Sequence, residues 1–164
     1  MKLILFFLLT FSFQAIAQSE DCVFDLSTQT DEFVKNIEGV KNHTWNDEKK
    51  EAIILLENGD TLIAHRGGCN HFGISGALSI KDKSLDYIQL DLIIEKGLWI
   101  AKNLFNEIDF NELKDKIKKE DYEIGSDDEF LFIMYFNHNY YSNYHLRAEQ
   151  LRNCVSIEIG YYYY

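Results

Sequence analysis

Ala52-Ile-Ile-Leu-Leu-Glu-Asn-Gly-Asp-Thr-Leu-Ile-Ala-His65 holds two apolar runs separated by Glu57-Asn58-Gly59-Asp60. Aliphatic and β-branched side chains suit a pleated, half-buried surface, and Asn-Gly tolerates the positive φ that a tight reversal demands. The pattern predicts strands over 52–56 and 61–65 joined by a type I′ hairpin. Gly67-Gly68 then reads as a tight turn. Beyond it, Phe72, Ile74, Leu78 and Ile80 fall on even positions against His71, Ser75 and Ser79, a third strand in which Gly73 and Gly76 allow a bulge or a close approach. Ile88, Leu90, Leu92 and Ile94 alternate in the same way and predict a fourth strand, completing an antiparallel meander with one wet face.

Outward from this meander the period changes. Upstream, Thr28 and Asp31 resemble a capping box, Phe33, Val34 and Ile37 share a face, and Gly39 can close a short helix. Downstream, Leu98, Ala101, Leu104, Phe105 and Ile108 recur at helical spacing, and Asp109 with Glu112 can cap a second helix carrying Phe110, Leu113 and Ile117. An acidic loop follows at 122–129, then an unbroken apolar run over 130–136 that fits a central strand, and finally the alternation of Val155, Ile157, Ile159, Tyr161 and Tyr163. These elements predict an α+β fold: a mostly antiparallel sheet, made of the N-terminal β-meander and two C-terminal strands, with helices packed on one face.

The amino terminus predicts export. Lys2 supplies a positive n-region, Leu3 to Phe13 an apolar stretch, and Ala15-Ile16-Ala17 a small-x-small site, so residues 1–17 read as a signal peptide cleaved after Ala17. The stretch is shorter than the about 20 residues that span a bilayer, and stable membrane insertion is not expected. The polar Ser19-Glu20-Asp21 before Cys22 argues against lipidation there. Residues 18–164 have the length of one domain, and no proline- or glycine-rich linker divides them. The expected location is the periplasm or the medium.

Sixteen basic and 27 acidic residues give a net charge of −11, which becomes −12 when Lys2 leaves with the signal peptide. Such a surface repels phosphate backbones and attracts basic proteins, so nucleic acid is not an expected partner. Three cysteines in an oxidising compartment imply one disulfide and one remaining thiol. All three pairings are open, with Cys69–Cys154 preferred because both cysteines adjoin predicted strands.

Two regions invite a functional reading. His65-Arg66-Gly67-Gly68-Cys69-Asn70-His71 places two imidazoles and a thiol within seven positions, ligand types that zinc or copper accepts. Its spacing matches no usual ligand pair, however, and Cys69 opens a strand where a cysteine nucleophile would favour a helix amino terminus. No cofactor is expected. The second region is the tyrosine-rich end, where Tyr140, Tyr141, Tyr144, Tyr162 and Tyr164 could serve, with the loop from His65 to His71, as contacts for a partner. These features lead to an acidic, non-enzymatic binding protein of the bacterial cell envelope, inhibitor- or immunity-like, facing a basic toxin or hydrolase. The alternative is a small Cys/His or metal-dependent enzyme built on His65, Cys69 and His71.

Overall fold

The computed structural model describes residues 22–81, 89–125, 132–136, 142–151 and 154–163. The signal sequence expected over 1–17, with its expected cleavage site after Ala17, lies outside them. Two 3₁₀ turns, Leu26–Thr28 and Asp31–Asn36, open the described chain. Strands β1 (Val40–Asn46), β2 (Glu51–Leu56), β3 (Thr61–Gly67) and β4 (Phe72–Ile80) follow. Helices α1 (Leu90–Leu104) and α2 (Glu107–Lys118) come next, and then β5 (Glu123–Gly125), β6 (Phe132–Tyr135), β7 (Ser142–Gln150) and β8 (Val155–Tyr163).

All strands join one eight-stranded sheet in the order β1-β2-β3-β4-β8-β7-β6-β5, and every neighbouring pair is antiparallel. The sheet is two four-stranded meanders sewn together by β4 and β8, which pair from Phe72↔Tyr163 to Ile80↔Val155. Period-2 alternation puts Ala52, Ile54, Leu62, Ala64, Leu78, Ile157, Ile159 and Leu146 on one face, where all are buried beneath the helices. Helix α1 lies over the seam, packed on β4 and β8. Gly76 makes this possible, because a side chain there would strike Ile100 and Leu104 of α1. Gly97 does the same from the helix side, where a Cβ would sit 2.6 Å from Leu146 Cδ1.

The α+β architecture agrees with the sequence, and several details differ. The alternating run ending at Ile94 is no strand: from Leu90 it is the start of α1, while Ile88 lies outside the described residues. The same residues also carry a 3.6-residue period, which buries Ile93, Gly97, Ile100, Ala101 and Leu104 on one face. Tertiary pairing arbitrates, since the edge of β4 that a fourth meander strand would need is occupied by β8. The 57–60 hairpin forms, but its turn is not type I′: Gly59 alone has positive φ there, at 89°. Gly59 N–H donates to Leu56 O and Leu56 N–H to Asp60 O, so a type I turn runs into a left-handed glycine. The first helix is 3₁₀ and is capped by Thr30, whose hydroxyl accepts from Glu32 N–H, and not by Thr28. Helix α2 begins before Asp109, capped by Asn106, which takes Asp109 N–H on its side-chain oxygen and places Ile108 on the solvent side at 78 % exposure.

The C-terminal half contributes four strands where alternation predicted two. Val155–Tyr163 forms β8 as expected, and the apolar run supplies β6, flanked by β5 and β7. Strand β5 arises inside the acidic segment, and β7 buries Tyr144, Leu146 and Ala148 while His145, Arg147 and Glu149 take the other face.

Candidate functional site

The glycine pair at 67–68 organises the most distinctive part of the molecule. Cys69 is bonded to Cys22, and Cys154 is the free thiol, which corrects the expected Cys69–Cys154 pairing. Sequence adjacency to strands misled here: Cys154 opens β8 in the middle of the sheet at the Ile80 end of β4, whereas Cys69 precedes the opposite end of β4. Two further links hold the N-terminal segment across that end. Phe24 N–H donates to Cys69 O at 3.0 Å, and the buried Gln29 amide clamps Gly68, donating to its carbonyl at 3.0 Å and accepting from its N–H at 2.9 Å. Gly67 has no room for a Cβ beneath Gln29 and Lys50, and Gly68 sits at φ 145°, so the two glycines serve this close crossing.

The crossing segment brings Phe24 against Phe72, ring centroids 5.5 Å apart. Between this pair and the 3₁₀ turn lies Arg66. It continues the inward row Leu62, Ala64, Arg66 of β3, at the end of the helix-packed face. Its guanidinium stands 5.8 Å from the centroid of the Phe33 ring, within cation–π range. Two clefts meet at it. One, of about 350 Å³, is lined by Phe24, Arg66, Phe72, Ile74 and Asn106. The other, of about 310 Å³, runs along Thr28 to Phe33 and shares Arg66 and Phe72. Nothing in a motif marks this site; the sequence signal was a cation at an inward strand position.

The residues expected to carry chemistry have other roles. Cys69 is in the disulfide, so a thiolate nucleophile at that position is excluded. His65 lies on the helix-free face with Nδ1 3.0 Å from Lys49 O and Nε2 3.2 Å from Gly67 O, so whichever ring nitrogen carries the proton has a backbone carbonyl to donate to. His71 is exposed in the turn before β4. Among the described residues no three His, Cys, Asp or Glu side chains converge on a point where a metal could be held.

The tyrosines divide. Tyr144 is 2 % exposed, stacked on Tyr161 with centroids 4.4 Å apart, and its hydroxyl donates to Asp109 O at 3.4 Å. Burial, reinforced by the neighbouring Tyr161, Glu112 and Asp109, pushes its hydroxyl pKa far above the usual phenol range. It is a core residue and not a surface contact, because even positions of β7 face the helices. Tyr162 pairs with Gly73 and Asn143 through the backbone. Tyr140, Tyr141 and Tyr164 lie outside the described residues.

The helix-free face is the other surface with character. Ile53 and Ile63, directly paired across β2 and β3, are 47 % and 38 % exposed. Ala77 on β4 extends the row, and Glu51 flanks it. Further across, Glu158 accepts from Arg147 Nη2 at 2.6 Å and His145 Nε2 at 3.2 Å, with His145 lying over Gly160. Burial alone would raise the Glu158 pKa, but these two donors and their charges outweigh it and hold the carboxyl below the usual range. No family model matches the chain, and comparison with curated proteins and with solved structures found no match.

Proposed function

We propose that this is an exported, non-enzymatic binding protein of the bacterial cell envelope, inhibitor- or immunity-like, which docks a basic protein on the helix-free face of its sheet. The observation that carries this reading is the exposed Ile53–Ile63 pair on that face, on the second and third strands from the β1 edge. Large apolar side chains placed together on an exposed sheet face, flanked by polar groups, are characteristic of interaction surfaces. Glu51 and Glu149 lie on the same face with no ion pair among the described residues, which suits lysine or arginine on a partner. The net charge of −11 favours the same class of partner at long range and opposes nucleic acid.

Export is supported by the n-, h- and c-region pattern of residues 1–17 and by a disulfide suited to an oxidising compartment. No helix among the described residues is long and apolar enough to cross a membrane.

The test combines capture with a face variant. Wild-type protein and Ile63→Asp are used as bait on envelope and secreted fractions at low and high salt, and any protein retained is purified and recombined. Support is a basic protein that binds wild type stoichiometrically, is released by salt and fails to bind Ile63→Asp. Equal binding by Ile63→Asp overturns the docking face, and self-association of pure protein abolished by the same substitution assigns the face to a second copy. An intact mass that retains residues 1–17 overturns export.

A further inference from the structure

We infer that the cleft around Arg66 is a binding site for a carboxylate joined to an aromatic or similarly flat apolar body. The inference uses none of the helix-free face, so it stands or falls separately from the docking proposal. Arg66 is half-buried on the packed side of β3, where a cation is costly to leave without an acceptor. Its guanidinium carries five donors and no acceptor, yet among the described residues no carboxylate reaches it and no hydrogen bond ends on it. Among the described residues, which are rich in acids, this half-buried arginine is set apart from the carboxylates of its own chain. Glu32, which lines the neighbouring cleft, is turned to Lys35 at 2.7 Å.

The surroundings specify what the cation can hold. A planar guanidinium matches a carboxylate through two parallel hydrogen bonds. Phe24, Phe72 and Ile74 offer apolar walls on the same cleft, and Asn106 is its one uncharged polar lining residue. A volume of about 350 Å³ is at the lower end of small-molecule sites and admits a single ring with a short acid arm. A hydrated inorganic anion would leave the aromatic walls unused. The site is assembled by the crossing segment, since Phe24 belongs to the strand of chain that Cys22–Cys69 and the Gln29–Gly68 clamp hold down.

The acid can come free or as the carboxyl end of a polypeptide, and two probe pairs separate these sources. The first is 3-phenylpropionate against 3-phenylpropan-1-ol, and the second is acetyl-Gly-Phe against its C-terminal amide, each titrated into the oxidised protein and followed by amide and arginine side-chain NMR. A dissociation constant on the order of 1 mM is what a ligand of this size achieves. Resonances of Arg66, Phe72 and Ile74 should move, and the neutral analogue of each pair should bind at least about tenfold more weakly, the scale of a lost charged hydrogen bond. Tighter binding by the peptide identifies a polypeptide terminus as the source, and tighter binding by 3-phenylpropionate a free acid. Arg66→Gln should lose the preference for acid over neutral analogue. Phe24→Ala, which leaves the cation in place, should weaken both members of a pair and keep the preference. Equal binding of acid and neutral forms, shifts confined to other surfaces, or no saturable shift up to about 20 mM would each overturn the assignment.

Discussion

Removing the Cys22–Cys69 bond in the double variant Cys22→Ala/Cys69→Ala should cost the protein a large part of its stability, and the size follows from chain statistics. The two cysteines are separated by 47 residues, a span that contains β1, β2 and β3. Closing a loop of that length removes about 14 cal/mol/K from the unfolded ensemble, worth about 4 kcal/mol at room temperature. That value applies in full only if the native ends stay in place without the bond. Here they are held independently, by Phe24 N–H on Cys69 O, by the paired hydrogen bonds between Gln29 and Gly68, and by the Phe24–Phe72 contact. The expected loss is therefore about 3–4 kcal/mol. Urea unfolding of wild type and variant measures it: with a slope of about 2 kcal/mol/M, the midpoint should fall by about 1.5–2 M. A drop under about 0.5 M with an unchanged slope would refute the reasoning, because it would mean the crossing segment lets go of the native sheet as readily as of the unfolded chain. Peptide mapping of the oxidised protein checks the premise, and finding Cys154 in the bond would remove it.

Three other outcomes are expected. Gly97→Ala should destabilise by about 1–3 kcal/mol in thermal unfolding, because the added methyl meets Leu146 at the contact between α1 and β7; an unchanged midpoint would show that Leu146 has room to turn away. Glu158→Gln should flatten the acid limb of the stability profile. The folded carboxyl titrates lower than the unfolded one, so its contribution is present above the ordinary glutamate range and is lost as pH falls through the lowered folded value; wild type and variant with parallel profiles between pH 2 and 6 would contradict this. Tyr144→Phe should cost about 0.5–1.5 kcal/mol by removing the buried hydroxyl's bond to Asp109 O, and calorimetry showing no loss would count against that bond.

Local pattern was sufficient wherever a segment's own period and its place in the sheet agree. Strands β3, β4 and β8, the 57–60 hairpin and the core positions Phe33, Val34 and Ile37 could be read directly, because alternation or spacing is itself the record of a buried face. Segments with two periods, or with none, were decided by neighbours distant in sequence. The stretch from Leu90 to Ile94 satisfies a strand and a helix equally, and β8 settles the matter by taking the edge of β4. Strand β1 shows little apolar pattern, since Lys41, Asn42, Thr44 and Asn46 lie at a sheet edge and need no burial. The site obeyed the same division. Composition announced one disulfide among three cysteines, but which pair forms depends on where the chain crosses the end of β3 and β4. The imidazoles and thiol of 65–71 looked reactive because residue types are visible in a sequence and their partners are not. Lys49 O and Gly67 O stand at the His65 ring and Cys22 bonds Cys69, while Arg66, ordinary in the sequence, becomes distinctive because the sheet turns it inward among aromatic rings with no acid in reach among the described residues.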